Sequence, residues 1–189
     1  MHCGLRISLR VGLLKMKIIL WFFSLSLLVL RSQAQTYTIA GDTFHLVSTN
    51  VSDAGHLEEY VPAGQTLKDW TKLFGVRSFK NIISPRDYIT RLKDEYHEKN
   101  PGMSYAWGAL QSSNVWYVDF LTPPPSKKSK VLEWDFFRAE TNAAGGIVVY
   151  QYAERRAYKK SYKELDAWDI KALRKQMIPI LRTNEFTIQ

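Results

Sequence analysis

The sequence contains one cysteine, Cys3, and four histidines among its 189 residues. Cys3 lies close to the N-terminus. If the segment that contains it is removed, the remaining chain forms no disulfide and offers no thiol nucleophile or thiolate metal ligand. None of the histidines lies in an H-x-H or H-E-x-x-H spacing. The G-x-S-x-G, S-x-x-K, phosphate-loop and dinucleotide-binding motifs are also missing. We therefore expect no cofactor, no metal and no enzyme of the classes that these motifs define.

Acidic residues are absent from the first 34 positions, whereas five basic residues lie there. The formal net charge of +8 is therefore concentrated at the N-terminus, and the remaining chain carries only +3. Nucleic-acid binding requires a dense basic face on the folded domain. We therefore expect no nucleic-acid partner.

An apolar run, Ile18–Leu30, follows Lys17 and ends shortly before Ala34. A basic start, a short apolar run and small residues after it are typical of a secretory signal peptide, here cleaved after Ala34. The run is shorter than the roughly 20 residues that span a bilayer, so we expect no permanent membrane span after signal cleavage. The sequence predicts a signal peptide over residues 1–34 and a single exported domain over residues 35–189.

A second basic and apolar stretch precedes this signal. Met16 and Lys17 would by themselves begin a complete signal peptide, and our hypothesis is that translation starts at Met16. The compact signal suggests a bacterium, so the predicted location is periplasmic or secreted.

The stretch Glu58–Phe74 has the clearest local pattern in the chain: an extended run, a Pro-x-Gly turn and a capped helix. Pro62 and Gly64 form the predicted turn. Thr66 and Asp69 occupy the two positions of a reciprocal helix cap. The apolar residues that follow recur at helical spacing and predict a face that is buried against a sheet. They are Leu67, Trp70, Leu73 and Phe74.

Strand and helix signals continue along the chain. Thr36–Thr49 predicts a hairpin, and Ser84 caps a helix that ends at Asn100. A change from helical to alternating spacing then predicts four strands, and a capping box at Ser161 begins a final helix that extends to Leu181. The four strands span Ser104–Leu110, Val115–Leu121, Val131–Glu140 and Ile147–Tyr158.

Aromatic and acidic residues alternate along the second and third of these strands. We predict that the apolar residues form one core layer and that the acids lie on the wetter side of the sheet. The core layer comprises Trp116, Val118, Phe120, Leu132, Trp134 and Phe136, and the acids are Asp119, Glu133 and Asp135.

The order of these elements indicates an α+β fold, in which a twisted antiparallel sheet packs against helices in a single domain. With an early hairpin, a helix, a run of strands and a long final amphipathic helix, the chain resembles the PsbP/Mog1-type α/β/α sandwich. Residues Glu59–Gln65, followed by Trp70, also resemble a stretch of small uncharacterised exported bacterial proteins. These resemblances imply a fold and a location but no chemistry. A cystatin-like or nuclear-transport-factor-like cone is the competing layout.

Aromatic residues make up 13% of the chain, and several crowd the predicted sheet. Tryptophan and tyrosine provide large, rigid surfaces with one polar atom each, which suits the binding of peptides, glycans or lipids. A dense basic cluster near Arg155 adds a surface for anionic lipids or an acidic partner. The predicted ligand or partner surface comprises Tyr105, Trp107, Tyr117, Tyr150, Tyr152, Arg155 and Arg156.

The leading functional hypothesis is an exported, non-enzymatic domain that binds an unidentified envelope protein or ligand. One alternative is a small envelope hydrolase that uses Glu58, Glu59 or the sheet carboxylates. Another is an inhibitor or immunity-type protein that acts through the proline- and lysine-rich loop Thr122–Lys130. His45 and His56 could also bind a metal across strands, although histidines in such positions are more often structural.

Overall fold

The structure is a computed structural model, and it describes residues 35–101, 103–110, 114–122, 130–143, 145–158, 169–183 and 187–188. Nine strands in these ranges form one sheet. They are β1 (Thr36–Ile39), β2 (Asp42–Ser52), β3 (Gly55–Pro62), β4 (Lys72–Phe79), β5 (Ser104–Ala109), β6 (Trp116–Thr122), β7 (Val131–Thr141), β8 (Ile147–Ala157) and β9 (Thr187–Ile188). The two helices in these ranges are α1 (Pro85–Lys99) and α2 (Ile170–Thr183).

The strands form two antiparallel meanders that meet in the middle of the sheet. The strand order is β5-β6-β7-β8-β4-β3-β2-β1-β9, so β1 to β4 and β5 to β8 each run inward from opposite sides. β4 and β8 then pair antiparallel, from Lys72 with Glu154 to Phe79 with Ile147. α1 connects the two meanders, and α2 lies between β8 and β9 in the sequence.

Helix α1 begins where the sequence predicts. The Ser84 hydroxyl accepts a hydrogen bond from the Asp87 backbone N–H at 3.1 Å, and Pro85 lies in the first helical turn. Proline is tolerated there because the first N–H groups of a helix have no intrahelical partner. At the other end, the Asn100 N–H donates to the Tyr96 carbonyl at 3.0 Å. The prediction of a helix between Ser84 and Asn100 is confirmed.

The sheet is strongly curled. Neighbouring strands lie about 4.8 Å apart, so β1 and β4 would be separated by about 14 Å in a flat sheet. The rings of Tyr37 on β1 and Phe74 on β4 are nevertheless only 4.8 Å apart between centroids. The rings of Phe44 on β2 and Tyr152 on β8 are 6.1 Å apart, although two strands lie between them. Side chains converge in this way on the inside of a curve, and we call this side the concave face and the other the convex face.

The two helices cover opposite faces of the sheet. α2 packs Met177 and Leu181 into an aromatic core on the concave face. α1 packs Ile89 into a second core on the convex face. The strands contribute Tyr37, Ile39, Phe44, Tyr60, Phe74, Leu132, Trp134, Phe136 and Tyr152 to the concave core. They contribute Val118, Phe120, Phe137, Ala139, Ile147 and Val149 to the convex core.

The predicted α+β sandwich is wrong. The described residues form mostly a single antiparallel sheet with one helix on each face, which is closer to an all-β architecture. The final helix is described from Ile170 to Thr183, and its predicted start at Ser161 lies outside the described residues.

The helix predicted after Thr66 is the main reason for this error. The Thr66 N–H donates to the Asp69 carboxylate at 2.7 Å, as the predicted cap requires, but the cap closes only a single turn. The chain then enters β4, which pairs with β3 on one side and β8 on the other. These two ladders, together with burial of Leu73 and Phe74 on opposite faces, outweigh the local helical preference.

The predicted aromatic core layer is also wrong, because its residues lie on opposite faces. Phe120 on β6 is paired with Asp135 on β7, whereas Leu121 is paired with Trp134. This register places Phe120 and its alternate neighbours on the convex face, and Trp134 with its alternate neighbours on the concave face. The sheet has no wetter side at this point because a helix covers each face.

Trp70 lies just before β4 and is only 7% exposed. It packs with Val61, Leu73 and Ala153 in a small cluster. The Arg155 guanidinium lies 3.6 Å from the centre of its ring. The loop that joins β3 to β4 is therefore held to the sheet through a large buried side chain.

We predict that Trp70→Ala lowers the free energy of unfolding by about 3–5 kcal/mol, because it leaves a cavity in this cluster. Urea denaturation followed by circular dichroism measures the change. The matched control is Lys68→Ala, an exposed residue of the same loop, which should change stability by less than about 0.5 kcal/mol. Equal effects of the two substitutions would contradict the assignment.

Candidate functional site

Strand β5 lies at an edge of the sheet, and its only strand partner in the described residues is β6. Proteins usually protect such edges with charged residues or proline. The sequence of β5, SYAWGA, contains neither. Tyr105 is 39% exposed and Trp107 is 43% exposed, and both lie on the convex side, next to α1. Among the described residues, β5 therefore presents open backbone groups beside large exposed rings.

Three residues of α1 place basic groups over aromatic rings beside this edge. The Lys93 ammonium lies 5.0 Å from the centre of the Trp107 ring, and the Arg86 guanidinium lies 5.3 Å from that of Trp116. The rings of His97 and Tyr105 are 5.9 Å apart. We call these residues the aromatic–basic strip: Arg86, Lys93, His97, Tyr105, Trp107 and Trp116.

The strip has a simple helical origin. Arg86, Lys93 and His97 are separated by seven and four residues, so they share one side of α1. The indole rings of Trp107 and Trp116 stack at 5.9 Å and join the strip across β5 and β6. A cation above an aromatic face contributes about 0.5–1 kcal/mol at an exposed site. These contacts hold the Arg86 and Lys93 side chains in fixed positions along the open strand, where the Lys93 ammonium is also ion-paired with Asp94 at 3.0 Å.

The structure does not bring the seven predicted surface residues together. Tyr105 and Trp107 belong to the strip. Tyr117, Tyr150 and Tyr152 lie on the concave face, where Tyr152 is fully buried in the core. Strand alternation separates the remaining two, because Arg155 lies on the convex face and Arg156 is exposed on the other side of β8.

The residues predicted to form the turn and the cap after β3 form them in the structure. The Gln65 N–H donates to the Pro62 carbonyl at 3.1 Å and closes the turn after β3. Gly64 has a φ of 81°, a conformation that glycine adopts without strain. Thr66 and Asp69 close the next turn, and the Thr66 hydroxyl donates to the Asp69 carboxylate at 2.6 Å. These residues shape the approach to β4.

The carboxylates considered for hydrolysis are dispersed. Asp119 is buried on the concave face, where it accepts hydrogen bonds from the Trp134 indole at 2.8 Å and from the Arg174 guanidinium of α2. Glu58 accepts from the Tyr60 hydroxyl at 2.7 Å. Glu59 lies on the convex face, opposite Gly75. Asp119 therefore fixes α2 to the sheet rather than lining a solvated face as predicted.

Glu133 and Asp135 form a carboxyl pair on the convex face. They lie two residues apart on the same side of β7, and Asp135 is only 2% exposed. Gln151 donates to Asp135 at 2.9 Å, and Arg155 donates to Glu133 at 2.8 Å. Burial, followed by the neighbouring charge of Glu133, raises the pKa of Asp135 to about 8. At neutral pH the pair therefore retains a proton, contrary to the predicted solvated acids.

The described residues do not bring His45 and His56 together as a metal site would require. His56 lies 3.7 Å from the Glu58 carboxylate, whereas His45 is exposed opposite Val61. Within the described ranges, no three His, Cys, Asp or Glu side chains are grouped in a way that could hold a metal ion. Residues 123–129 of the loop Thr122–Lys130 lie outside those ranges.

The sequence predictions missed the basic half of the strip and Trp116. The spacing of Arg86, Lys93 and His97 could have been recognised in the sequence, since it places three basic residues on one side of a helix with a clear cap. No sequence signal shows that this side faces an edge strand, because the position of β5 in the sheet depends on long-range pairing.

We predict that the protein loses stability as pH rises from about 4 to about 8, by on the order of 1 kcal/mol per pH unit. In this window folded Asp135 holds a proton that the unfolded chain has lost, because the folded pKa is raised. The contribution is complete below the unfolded pKa and is lost as pH rises through the folded pKa. Urea denaturation at a series of pH values measures it.

Asp135→Asn is the matched variant, because the amide has the size of the carboxyl but does not titrate. It should flatten the pH dependence relative to the wild type over this window. An identical slope in both proteins would contradict the assignment of the proton to this pair.

Comparisons with known proteins add one relationship. No curated protein and no solved structure matches the chain, so the PsbP/Mog1 resemblance receives no support from them. None of the helices in the described residues is long and apolar enough to cross a membrane. A family model matches residues 32–185, most of the chain. The chain belongs to this uncharacterised protein family.

Proposed function

We propose that this protein is an exported, non-enzymatic domain of the bacterial cell envelope that binds an extended, acidic segment of a partner protein along β5. The observation that carries the proposal is the open edge strand with Tyr105 and Trp107 exposed beside it. The partner segment pairs with β5 as an additional antiparallel or parallel strand.

Strand addition suits the backbone of β5. An edge strand offers unpaired N–H and C=O groups, which give affinity, and neighbouring side-chain surfaces give specificity. Residues 104–107 are all exposed, so a segment can approach without displacing another element of the described structure. Trp107 and Tyr105 provide rigid apolar contacts for alternate side chains of that segment.

The charge of the strip selects an acidic partner. Arg86, Lys93 and His97 line the same side of the edge as the two exposed rings. Complementary charge favours association and rejects basic segments. A second copy of this chain fits less well, because a two-fold interface would bring the same basic residues of two chains together.

Export is the part of the proposal that rests on the N-terminal sequence. The basic start, the apolar run Ile18–Leu30 and the small residues up to Ala34 support secretion to the periplasm or the medium. An envelope location would supply partner proteins with extended segments, which suits an open edge strand.

Hydrolysis is less well supported. A carboxyl pair with one proton can provide an acid and a base. However, Asp135 is only 2% exposed and lies beneath α1, so a substrate has no direct approach to it in this conformation.

We predict that the exported protein begins at Gln35. Expression in a bacterium, isolation of the periplasmic fraction and the medium, and N-terminal mass spectrometry measure the start. An intact N-terminal segment on protein found only in the cytoplasm would contradict export without affecting the proposed binding site.

We predict that selection of a random peptide library, displayed on phage, enriches extended peptides with acidic and apolar residues in alternation. Trp107→Ser should weaken a selected peptide at least about tenfold, because a central aromatic anchor is lost. Lys93→Glu should weaken it further by charge reversal. Isothermal titration calorimetry with the synthesised peptide measures both effects.

Lys171→Glu is the matched control, since it makes the same charge change at an exposed position of α2 on the opposite face. It should leave affinity unchanged. Enrichment of neutral or basic peptides, or equal weakening by Lys171→Glu, would contradict the proposal. Self-association that Trp107→Ser abolishes in analytical ultracentrifugation would also overturn it, because a second copy would then occupy the edge.

A further inference from the structure

The carboxyl pair lies directly beneath α1. Tyr96 of α1 stacks on Phe120 at 4.5 Å and contacts Phe137 edge-on at 6.1 Å. Phe120 is the cross-strand partner of Asp135, and Phe137 is the next residue on the same face of β7. The Tyr96 ring therefore covers Asp135, and the charges of Asp135 and Glu133 raise the pKa of Tyr96, after the larger effect of burial.

The surrounding charges do not neutralise two carboxylates. On β8, Arg155 is paired with Glu133 and stacked on Trp70. On β4, the Arg77 guanidinium lies 5.8 Å from the centre of the Phe137 ring, and its charge lowers the pKa of Asp135 by less than burial and Glu133 raise it. β6 presents Phe120 and Thr122, which carry no charge, and α1 presents the phenol of Tyr96. Among the described residues, no cation lies within ion-pair distance of Asp135.

Loss of the shared proton would therefore place two negative charges side by side, with one of them buried under an aromatic ring. A buried carboxylate without a paired cation is costly unless water reaches it. The covering element with the least backbone attachment to the sheet is α1, because the strands on either side are held by continuous ladders. Movement of α1 therefore admits water to Asp135 at a lower free-energy cost than separation of the strands.

We infer that the Glu133–Asp135 pair is a proton-dependent latch that holds α1 against the convex face of the sheet. With one proton shared between the two carboxyls, the pair carries a single charge that Arg155 matches. When that proton is lost, α1 detaches at Tyr96 and water solvates Asp135. The latch forms without a binding partner, because it involves only α1 and the sheet.

Hydrogen exchange of the wild-type protein tests the latch. After correction for the intrinsic effect of pH on exchange, protection of the α1 amides should fall by up to about tenfold per pH unit from about pH 6 to about pH 8. Protection of the paired amides of β3 and β4 reports global unfolding, which releases the same proton, so it should fall with a similar slope but stay well above the protection of α1. Protection of α1 that equals that of these strands, or that does not change with pH, would overturn the inference.

Two variants separate the latch from other effects of pH. Asp135→Asn keeps the hydrogen-bonding shape without a titrating group, so α1 protection should become independent of pH. Glu133→Gln removes the neighbouring charge and should move the transition to lower pH, which keeps the test available if Asp135→Asn fails to fold. An unchanged transition in either folded variant would overturn the inference.

Discussion

The pairing of β4 with β8 is the interaction on which the rest of the structure depends. It joins residues from the two halves of the chain, from Lys72 with Glu154 to Phe79 with Ile147. Without it, the described strands would form two separate sheets, one of four strands and one of five, each with an additional open edge. The pairing also gives β4 two ladders, and these set its strand conformation against the helical pattern of its own sequence.

The sheet curves around the same pair of strands, β4 and β8. The rings of Phe44 and Tyr152 meet although β3 and β4 lie between their strands, so the joined meanders curl around a common aromatic core. α2 closes this core from the concave side, and Asp119 anchors it through Arg174 and Trp134. The convex side is free to accept α1, which enters the chain at the crossing from β4 to the far edge at β5.

Much of the second half of the fold could be predicted from local sequence. The cap at Ser84 fixes the start of α1, and alternation with turn residues places β5 to β8 within about two residues of their observed bounds. The cap at Thr66 is equally clear, yet it closes only one turn, because no local signal reports the two ladders that form on β4. Local sequence patterns therefore fail to predict the conformation of a segment where long-range strand pairing determines it.

Assignment of faces failed for a related reason. Residues Trp134–Ala139 of β7 are buried in succession, because helices cover the strand on both sides. Such a strand has no wet side, so the acids next to Trp134 are not on a solvated surface. The register between β6 and β7 decides which of their residues lie on the same face of the sheet. Alternation within a single strand does not determine that register.

The candidate site was half predictable. Exposed aromatic residues were expected, and Tyr105 and Trp107 are exposed, but the same composition also described core residues such as Tyr152. What distinguishes them is position at an edge, and this is a property of strand order rather than of residue type. The carboxyl pair likewise depends on burial by Tyr96, a residue that the sequence places only on the apolar side of α1.

Helix α1 contacts the carboxyl pair with one of its sides and the aromatic–basic strip with another. Tyr96 faces the carboxyl pair, whereas Lys93 and His97 face the rings beside β5. A rigid helix cannot change one of these contacts without changing the other, because the residues lie within a single turn. Detachment of α1 at Tyr96 would therefore move the basic groups away from the open strand. Charge complementarity at β5 and protonation of Asp135 would then be coupled through the position of one helix, with no contact between the two sites themselves.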